Sequence, residues 1–538
     1  MALLERDSTA AVAGALDARA DAAGDAPYLL FGDQTLSYRQ IRDRAEALAA
    51  SLHELGIARG DRLALVLPNW PEFAIAAFAA AKVGATLVPL NPREPVAELQ
   101  YMLRHSEAAA VVTPENYRGI DFLGVFEELL THLPDLRYVI TVGPEDLWYD
   151  DRIYQFEDLV SAGAGKDFPR GEADPDEPFG IVYTSGTTGK PKGVVVSNRN
   201  VLAAAAGTVD AIGLDEDDVV AGVTALCHVF GLGPGLIGTL LAGASLVLQE
   251  DFDPVESLDL IERYGVTVHY GVPTVFLTEL REVELAPRDL STLRAGVVAG
   301  APIGDETLGR IRERLCPNLQ VAYSLTETAS TVAITRPDHP ADKQLFTLGR
   351  PIDGTEIRVL DDGGTVLPVE SVGELVVRGP GVMLGYYRQP RETAVALDAD
   401  GFLRTGDVGM VDEEGFVHVV ARKNDVVIRG GVNVYPREVE DRLQAHPAID
   451  QAAVVGVPDD VLGEALCACV VPVEGALVTA EELRSWCRDA MADHKVPDLV
   501  RFLEGLPLTA SGKVKRLELA RAIGAEKDAG QGGRGSAA

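Results

Sequence analysis

Runs of apolar residues alternate with amphipathic helical patterns along most of the chain. Residues 62–67 and 86–90 predict strands, and the apolar stretch 72–83 between them predicts a helix. The alternation recurs further on, where a helical pattern over 255–263 precedes a predicted strand over 266–269. Alternating strands and helices with short connections are typical of α/β layers around a largely parallel sheet. The pattern therefore predicts an α/β protein with a large N-terminal domain of layered sheets.

The pattern changes near Gly406, where the predicted strands become short and are joined by glycine and acidic turns. The elements predicted after this point are strands over 408–412, 415–420 and 426–428, a helix over 436–444 and a strand over 451–457. They predict a small α+β domain of about one hundred residues, a size that one compact core can serve. From Gly524 onward the sequence is rich in Gly, Ala and Ser, so we predict a disordered tail over 524–538.

Length and charge narrow the class of protein. The 538 residues exceed the roughly 250–300 that one hydrophobic core usually serves, which agrees with two domains. The chain carries 48 Lys and Arg against 82 Asp and Glu, a formal net charge of −34. Bulk binding to nucleic acid or to an anionic membrane is therefore disfavoured, and any anionic ligand must be held by local groups.

One apolar segment, residues 219–249, contains no Lys, Arg, Asp or Glu and is long enough to cross a bilayer. Six glycines and Pro234 interrupt it, so we predict buried interior beside a cavity and no integral membrane association. Residues 1–27 have no continuous apolar run, which predicts no signal peptide. The five cysteines show no paired spacing, as expected in a reducing cytoplasm, so we predict a cytoplasmic protein.

The strongest motif is the segment Tyr-Thr-Ser-Gly-Thr-Thr-Gly-Lys-Pro-Lys-Gly over residues 183–193, between two predicted strands. Glycines let backbone N–H groups approach phosphate oxygens, hydroxyl groups add donors, and lysines add positive charge. A Walker A loop is excluded because Pro191 follows Lys190 and a strand, not a helix, comes next. The predicted phosphate-binding residues are Thr184, Ser185, Gly186, Thr187, Thr188, Gly189, Lys190 and Lys192.

This loop resembles the phosphate-binding motif of the adenylate-forming superfamily, which includes acyl- and aryl-CoA ligases, amino-acid adenylation domains and beetle luciferases. Further segments resemble the superfamily's motifs in the same order. They are Tyr323-Ser324-Leu325-Thr326-Glu327, Arg404-Thr405-Gly406-Asp407, residues 422–440 and residues 507–513. With Ser37-Tyr38 and residues 89–92, the resemblance covers residues 37–516 and implies a member of the acyl- or aryl-CoA ligase branch.

The resemblance implies a reaction in two steps that uses ATP, Mg²⁺ and coenzyme A. A carboxylate attacks the α-phosphate of ATP and expels pyrophosphate, and the thiol of CoA then takes the acyl group from acyl-AMP. The resemblance implies that Thr326 contacts the α-phosphate and that Glu327 binds Mg²⁺. It implies that Tyr323 stacks on adenine, with Gly300, Ala301 and Pro302 on the opposite side, and that Ser324 lies beside the adenylate. Asp407 and Arg422 are the implied ribose contacts. Further implied residues are Lys513 for adenylation, His228 as a gate of the acyl pocket, and Gly430 with Gly431 at the pantetheine tunnel.

Simpler interpretations of these residues remain open on the sequence alone. Thr326 and Glu327 also fit a helix cap followed by a first-turn acid. Residues 300–302 fit a turn, and an Asp after Thr-Gly is an ordinary turn residue. Lys513 lies in a basic run with Lys515 and Arg516, which alone would indicate solvated surface.

The resemblance also implies that the small C-terminal domain is a mobile lid that rotates between the two half-reactions. The implied boundaries are a large domain over 1–421, a hinge over 422–425 and the lid over 426–523. Asn424 aligns with the hinge residue, where the superfamily commonly carries Asp or Lys. Asn tolerates unusual backbone angles but lacks the charge. Ser324 is a second departure, since Gly is usual there.

The apolar segment bears on the substrate. An amino-acid substrate is disfavoured, because no Asp or Glu between residues 219 and 249 could pair with its ammonium group. Glycines at 231, 233, 235, 271 and 300 suggest room for a bulky apolar acid, which could be fatty, aryl or polycyclic.

The principal hypothesis is an ATP-dependent ligase that joins a small-molecule carboxylic acid to CoA. One alternative is an enzyme that stops at acyl-AMP or passes the acyl group to a carrier protein. Others are a luciferase-type oxygenase on the same fold and a non-enzymatic nucleotide- or acyl-binding protein. A homodimer is left open, and no nucleic-acid partner is expected.

Overall fold

Two large sheets with helices between and around them account for most of the first 350 residues. The computed structural model describes residues 11–144, 150–170, 174–184, 190–430, 432–459, 461–508 and 514–532, with the backbone alone for Asn424 and residues 525–532. The chain divides into two units, Met1–Ile357 with Val377–Leu403 and Arg358–Val376 with Arg404–Ala538. A large α/β unit and a smaller C-terminal unit confirm the predicted fold class.

The first sheet of the larger unit has nine strands, and its centre is parallel. In sheet order the strands are Arg350–Pro351, Ser330–Ile334, Leu319–Leu325, Ala295–Val298, Val268–Gly271, Val219–Gly222, Ser245–Leu248, Pro27–Phe31 and Gln34–Ser37. Strands Val268–Gly271 and Ala295–Val298 are buried along their whole length, as expected when helices cover both faces of a parallel sheet. Parallel pairing places the carboxyl ends of the central strands at one edge.

The second sheet has eight strands and carries an antiparallel edge. In order these are Gly385–Tyr386, Lys192–Ser197, Pro178–Thr184, Thr86–Leu90, Arg62–Val66, Ala110–Pro114, Tyr138–Val142 and Ile153–Gln155. The strands from Thr86–Leu90 to Ile153–Gln155 pair in parallel, whereas Pro178–Thr184 and Lys192–Ser197 form an antiparallel hairpin. A two-stranded ribbon, Asn116–Tyr117 with Ile120–Asp121, lies outside both sheets.

Two helices of the larger unit, Pro71–Val83 and Pro254–Tyr264, lie where the sequence pattern predicted helices over 72–83 and 255–263. The others are Val12–Ala23, Tyr38–Glu54, Val96–Ser106, Phe122–Leu129, Phe156–Gly163, Asn198–Ile212, Gly238–Ala242, Pro273–Leu285, Asp305–Arg314, Ala341–Phe346 and Pro390–Ala396. Proline occupies the first turn of Pro71–Val83 and Pro254–Tyr264, where its missing N–H costs nothing. The Asp253 carboxylate caps the latter helix by accepting from the N–H groups of Val255 and Glu256.

The apolar segment 219–249 is buried interior, as predicted, but the role predicted for its glycines does not hold at Gly231. Residues Gly231–Ile237 form a buried π-helix that contains Pro234. A Cβ at Gly231 would lie 2.2 Å from the Ala225 carbonyl oxygen, and a Cβ at Gly271 would lie 2.9 Å from Val275 Cγ1. Gly231 and Gly271 therefore permit close approach of neighbouring protein segments, whereas the nearest atom to a Cβ at Gly235 would be 3.5 Å away, an ordinary contact. In the part of the chain that the structure describes, none of the helices is both long and apolar enough to cross a membrane.

The smaller unit contains two sheets. A four-stranded sheet has the order Glu356–Leu360, Gly373–Arg378, Leu403–Val411, Val417–Arg422, and a five-stranded sheet consists of Val432–Val434, Val427–Arg429, Gly463–Pro472, Ile449–Asp459 and Leu499–Phe502. Helices Pro436–Gln444 and Ala480–Arg488 pack on one face of the five-stranded sheet, and Leu519 and Ile523 of helix Arg516–Gly532 pack on the other. Strands Leu403–Val411 and Ile449–Asp459 are longer than their sequence pattern predicted, whereas Val417–Arg422 and Val427–Arg429 have the predicted length.

Two predicted boundaries differ from the structure. The predicted boundary after residue 421 falls inside the smaller unit, because strand Val417–Arg422 pairs with Leu403–Val411 in a sheet of that unit. The predicted tail from residue 524 begins too early, since helix Arg516–Gly532 continues past Gly524. The residues that follow Gly524 include Ala, Glu and Lys, which favour helix.

Candidate active site

The phosphate-loop hairpin is fixed by backbone pairing on both sides of the loop. Tyr183 is opposite Gly193 and Thr184 is opposite Lys192 in the antiparallel ladder. Lys190 is exposed and Lys192 half-buried where the returning strand begins. Residues Ser185, Gly186, Thr187, Thr188 and Gly189 lie outside the described residues. The structure therefore brings Thr184, Lys190 and Lys192 to the end of the hairpin and leaves the other loop predictions untested.

Aromatic side chains of helix Val96–Ser106 support the base of this hairpin. The Tyr183 hydroxyl donates to the Met102 carbonyl oxygen at 3.1 Å and lies 2.8 Å from His105 Nδ1. The Tyr101 hydroxyl donates to the Pro191 carbonyl oxygen at 3.4 Å. Burial raises the pKa of the Tyr183 hydroxyl and lowers that of the His105 imidazole. Both groups are thus held in their neutral forms at pH 7, which suits hydrogen bonding in a partly buried setting.

Each of the two loop lysines lies against a tyrosine ring. Lys190 Nζ is 5.2 Å from the centre of the Tyr101 ring, and Lys192 Nζ is 4.8 Å from the centre of the Tyr386 ring. Both distances are within the range of a cation–π interaction. The lysine ammonium groups are thus held near the hairpin while their positive charge remains available to a ligand.

Thr326 and Glu327 form a tight turn and not the start of an α-helix. The turn is a 3₁₀ segment of three residues, Thr326–Thr328, whose N-cap is Leu325 without a side-chain cap. Of the alternatives left open by the sequence, the cap-and-helix interpretation is therefore wrong, because strand Ser330–Ile334 follows directly. Both the Thr326 and Glu327 side chains are half-buried.

The residues after this turn hold a strained backbone. Ala329 and Ser330 have φ angles of 54° and 129°, which non-glycine residues seldom adopt. The Thr328 hydroxyl bridges the turn through hydrogen bonds of 3.1 Å and 2.9 Å to the carbonyl oxygens of Leu325 and Ser330. Strain of this kind persists only where surrounding contacts over-determine the backbone, and it concentrates at functional sites.

Glu327 is tied to the hairpin through a residue that sequence reasoning missed. The Tyr386 hydroxyl donates to Glu327 Oε1 at 2.9 Å, and the Met383 N–H donates to the Glu327 carbonyl oxygen at 2.9 Å. Tyr386 also pairs with Val194 of the hairpin. No local motif indicates this contact, since 59 residues separate Tyr386 from Glu327.

The residues predicted around the adenine meet at the carboxyl edge of the nine-stranded sheet. Strand Ala295–Val298, which leads to Gly300, pairs in parallel with strand Leu319–Leu325, which contains Tyr323 and Ser324. Gly300 has φ +85°, and Ala301 and Pro302 are exposed. Tyr323 is buried and Ser324 half-buried. Ligands of open α/β sheets bind at such carboxyl edges, so the arrangement suits a nucleotide, although the stacking itself stays a prediction.

His228 follows strand Val219–Gly222 of the same sheet, which lies two strands away from Ala295–Val298. The His228 ring is half-buried, and its Nδ1 lies 3.5 Å from the Phe230 N–H. The preceding loop is held by Asn69, a buried residue that sequence reasoning also missed. The Asn69 amide donates to the Thr224 carbonyl oxygen at 3.2 Å and accepts from the Leu226 N–H at 2.9 Å. The gating role of His228 stays a prediction.

The predicted ribose pair belongs to the smaller unit. Asp407 and Arg422 are opposite each other in paired strands, and Arg422 Nε lies 2.6 Å from Asp407 Oδ1. The Asp407 N–H donates to the Thr405 hydroxyl at 3.0 Å, and that hydroxyl donates to the Leu375 carbonyl oxygen at 2.7 Å. The structure thus orients the Asp407 carboxylate by a cation and a fixed turn, and the ribose contact stays a prediction.

The predicted hinge residue lies in a 3₁₀ segment, Lys423–Asp425, whose flanking residues are anchored within the smaller unit. Lys423 Nζ lies 3.3 Å from Glu374 Oε2, and Arg516 Nε lies 3.3 Å from Asp425 Oδ2. Burial raises the pKa of Asp425, although Arg516 acts in the opposite direction. The hinge role of Asn424 between these anchors stays a prediction.

Gly431 and Lys513 lie outside the described residues, and Gly430 is described by its backbone contacts within the smaller unit. Gly430 has φ +60°, and its N–H donates to the Leu462 carbonyl oxygen at 2.7 Å. This hydrogen bond joins the Val427–Arg429 strand end to the loop before Gly463–Pro472. The pantetheine contacts of Gly430 and Gly431 and the catalytic role of Lys513 stay predictions.

The donor set around Glu327 fits Mg²⁺. Among the described residues, no group of three or more His, Cys, Asp or Glu side chains could hold a metal ion. Mg²⁺, however, is commonly held by one or two carboxylates together with substrate phosphates. Glu327 supplies one hard carboxylate, whose Oε1 accepts from Tyr386, beside the lysines of the phosphate loop.

A phosphate-loop hairpin beside a carboxylate, at the carboxyl edge of a parallel sheet, is typical of an enzyme that binds a nucleoside polyphosphate. Comparison with known proteins defines the class further. The family of AMP-binding enzymes matches residues 16–387, and the AMP-binding enzyme C-terminal domain matches residues 438–513.

Curated relatives and solved structures are similar over nearly the whole chain. A putative acyl-CoA synthetase, YngI, of Bacillus subtilis (strain 168) is 34% identical over 94% of this chain and 95% of its own. Medium-chain acyl-CoA ligase ACSF2 of Bos taurus is 32% identical over 95% of this chain and 87% of its own. Feruloyl-CoA synthase of Amycolatopsis sp is 34% identical over 92% of this chain and 95% of its own.

The crystal structure of ATP-bound MatB from Rhodopseudomonas palustris superposes with a TM-score of 0.87 at 29% identity, covering 96% of this chain and 99% of MatB. The anthranilate CoA ligase AuaEII in complex with anthranoyl-AMP gives 0.88 at 25% identity, covering 96% and 98%.

The chain therefore belongs to the AMP-binding enzyme family, in the acyl-CoA ligase branch of the adenylate-forming superfamily. Its class is that of AMP-forming acid–CoA ligases, whose substrates are a small-molecule acid, ATP and CoA. This confirms the class predicted from the ordered motifs.

The Asp407–Arg422 pair supports a stability prediction. Arg422→Met should lower the free energy of unfolding by about 1–2 kcal/mol, because it leaves a buried carboxylate without its cation. The loss stays below that of a fully buried pair, since the Arg422 side chain is 48% exposed while Asp407 is 3% exposed. Urea unfolding followed by circular dichroism measures the change. The double variant Asp407→Asn/Arg422→Met should recover part of the loss, and a single variant as stable as the wild type would contradict the prediction.

Proposed function

We propose that this chain ligates an apolar carboxylic acid, of the medium-chain fatty or aryl class, to CoA through an acyl-AMP intermediate. The observation that carries the proposal is the contact between the phosphate-loop hairpin and Glu327 through Tyr386. It supports a site where a lysine and a carboxylate face the same phosphates, as phosphoryl chemistry with Mg²⁺ requires. The solved relative that holds anthranoyl-AMP supports the intermediate.

In the first half-reaction, the residues of this chain would bring two anions together and stabilise the charge that shifts between them. Lys190, Lys192 and the loop hydroxyls would bind the phosphate oxygens of ATP, and the Thr326 hydroxyl would donate to an α-phosphate oxygen. Glu327 would hold Mg²⁺, which when bound neutralises phosphate charge. Lys513 would contact both the acid carboxylate and the α-phosphate as pyrophosphate leaves. Asp407 would accept from the ribose hydroxyls.

In the second half-reaction, the CoA thiol would attack the acyl carbonyl and AMP would leave. The site must then exchange the adenylating lysine for a path that admits the pantetheine chain. We propose that a rotation at Asn424 makes this exchange and brings Gly430 and Gly431 to that path. Strand Val427–Arg429, which follows Asn424, belongs to a different sheet from strand Val417–Arg422, which precedes it, and this change of sheet supports such a rotation.

The acid class rests on chemistry and on the relatives. The buried segment around His228 contains Leu226, Val229, Phe230 and Leu232 and no acidic residue, which disfavours a substrate with an ammonium group. Relatives named for medium-chain acyl, feruloyl and anthranilate substrates support fatty and aryl acids. Gly231 and Gly271 serve close packing, so the argument for a bulky polycyclic acid rests on Gly233, Gly235 and Gly300.

The remaining alternatives are outcomes of the test. Transfer to a carrier-protein thiol, arrest at acyl-AMP and luciferase-type oxygenation would each give a distinct product. A homodimer and a cytoplasmic location stay predictions of the sequence.

ATP–pyrophosphate exchange across a panel of acids tests the proposal. Medium-chain fatty acids or hydroxycinnamic and benzoic acids should support exchange, and addition of CoA should release AMP with formation of the thioester. Amino acids of similar size serve as controls and should support no exchange. Exchange without thioester formation would leave only the acyl-AMP step, and no exchange with any acid would contradict the proposal.

The role of Lys513 can be separated by half-reaction. Lys513→Ala should lower the adenylation rate by about 10²–10³-fold, as expected for loss of a group that stabilises transition-state charge. Thioester formation from preformed acyl-AMP should be nearly unchanged. Lys515→Ala is the matched control, because within the described part of the chain the Lys515 side chain pairs with Glu518 alone, at 3.6 Å, and both side chains are exposed. Equal loss in both half-reactions would contradict the assignment.

The role of Asn424 predicts the reverse pattern. Asn424→Pro should slow thioester formation at least about tenfold more than adenylation, because proline fixes φ and restricts the preceding residue. Single-turnover kinetics of each half-reaction give the comparison. Asn424→Ala keeps the backbone freedom and should behave like the wild type. If Asn424→Pro slows both steps to the same extent, the hinge lies elsewhere.

A further inference from the structure

Tyr386 contacts both of the charged groups that the proposed function assigns to phosphate and metal binding. Its hydroxyl donates to Glu327 Oε1 at 2.9 Å, and its ring centre lies 4.8 Å from Lys192 Nζ. The side chain is half-buried. Neither the phosphate-loop motif nor the Thr326-Glu327 motif contains this residue, and the sequence predictions did not include it.

The backbone around Tyr386 is fixed independently of its hydroxyl. The Leu384 N–H donates to the Val195 carbonyl oxygen at 2.9 Å, and the Tyr387 N–H donates to the Gly193 carbonyl oxygen at 2.7 Å. The Tyr386 N–H itself donates to the Thr393 hydroxyl at 2.9 Å. These bonds attach the short strand Gly385–Tyr386 to the hairpin that carries Lys192. The ring position is therefore set by the sheet, and loss of the hydroxyl alone should leave it in place.

The hydroxyl has a specific effect on Glu327. A hydrogen bond from a neutral O–H to a carboxylate is charge-assisted and directional, so it fixes the orientation of the carboxylate. Oε1 is the oxygen that accepts, and among the described residues no hydrogen bond reaches Oε2. One carboxylate oxygen is thus engaged by the protein, while the other is available to a hard cation.

The ring has a second effect, on Lys192. Lys192 and Glu327 carry opposite charges, and a direct ion pair would neutralise both before ATP arrives. No ion pair between them occurs in the described part of the chain, and the Tyr386 side chain contacts each of them. A cation–π contact retains the ammonium group without cancelling its charge.

We propose that Tyr386 is a positioning residue of the ATP site: its hydroxyl orients Glu327 for Mg²⁺, and its ring keeps Lys192 apart from Glu327 for the phosphates. The inference rests on the proposed function. The two effects are separable, because Tyr386→Phe removes the hydroxyl and keeps the ring, whereas Tyr386→Leu removes both. Tyr387→Phe is the matched control, since the adjacent Tyr387 hydroxyl donates to Glu107 at 3.2 Å and not to Glu327.

The test is binding of a non-hydrolysable ATP analogue without acid or CoA, by calorimetry with and without Mg²⁺, so that turnover plays no part. Tyr386→Phe should weaken binding in Mg²⁺ by about 10-fold to 150-fold, the value of one hydrogen bond to a charged group. Its binding without Mg²⁺ should match the wild type. Tyr386→Leu should weaken binding in both conditions, because Lys192 is then free to pair with Glu327. Tyr387→Phe should match the wild type throughout.

The outcomes separate this inference from the proposed function. If Tyr386→Phe binds the analogue in Mg²⁺ with the same affinity as Tyr387→Phe, the role of the hydroxyl is overturned. If Tyr386→Leu binds the analogue without Mg²⁺ with the same affinity as Tyr386→Phe, the role of the ring is overturned. Failure of the wild-type protein to bind the analogue at all would instead contradict the proposed function. Mn²⁺ titration by electron paramagnetic resonance, with the analogue present, gives a second measure and should show weaker Mn²⁺ binding in Tyr386→Phe.

Discussion

The antiparallel pairing of strands Pro178–Thr184 and Lys192–Ser197 is the interaction on which the site depends. One strand of this hairpin joins the parallel part of the eight-stranded sheet at Thr86–Leu90, and the other pairs with Gly385–Tyr386. The hairpin thus couples a rigid, buried sheet to the loop lysines on one side and to Tyr386 on the other. Because ladder hydrogen bonds fix register, a shift of one residue would turn Lys192 away from Tyr386.

The net negative charge of the chain explains why the positions of the loop lysines and Tyr386 matter for binding ATP. With a net charge of −34, the protein surface repels ATP and CoA at long range, so binding must come from short-range groups that are already oriented. Lys190 and Lys192, which contact tyrosine rings, and Glu327, which accepts a hydrogen bond from Tyr386, are groups of this kind. Aromatic neighbours hold a cation without neutralising it, which an acidic neighbour could not do.

The sequence was most informative where the site residues are contiguous. The loop around Lys190 and Lys192 is a short segment whose residue types alone predicted phosphate binding. Thr326 and Glu327 were predicted through the resemblance of their motif to that of the superfamily, since their residue types alone also fitted a helix cap. Tyr386 and Asn69 were missed because their roles arise from pairing and packing between distant segments, which no local pattern records. The domain boundary was misplaced for the same reason, since strand pairing groups Val417–Arg422 with the smaller unit. The glycines were identified correctly as special, but only the structure shows what a Cβ would meet.

The close packing at Gly231 and Gly271 has a consequence for how related enzymes can diverge. A mutation that adds even a methyl group at either position would push against neighbouring protein, 2.2 Å and 2.9 Å away, and would be removed by selection for folding. With the acid pocket placed beside His228, as proposed, shifts of acid preference along a lineage should arise by exchanging side chains that already exist, such as Leu232 or Phe230. The backbone of this segment would then be inherited nearly unchanged, while the chemistry that it displays drifts.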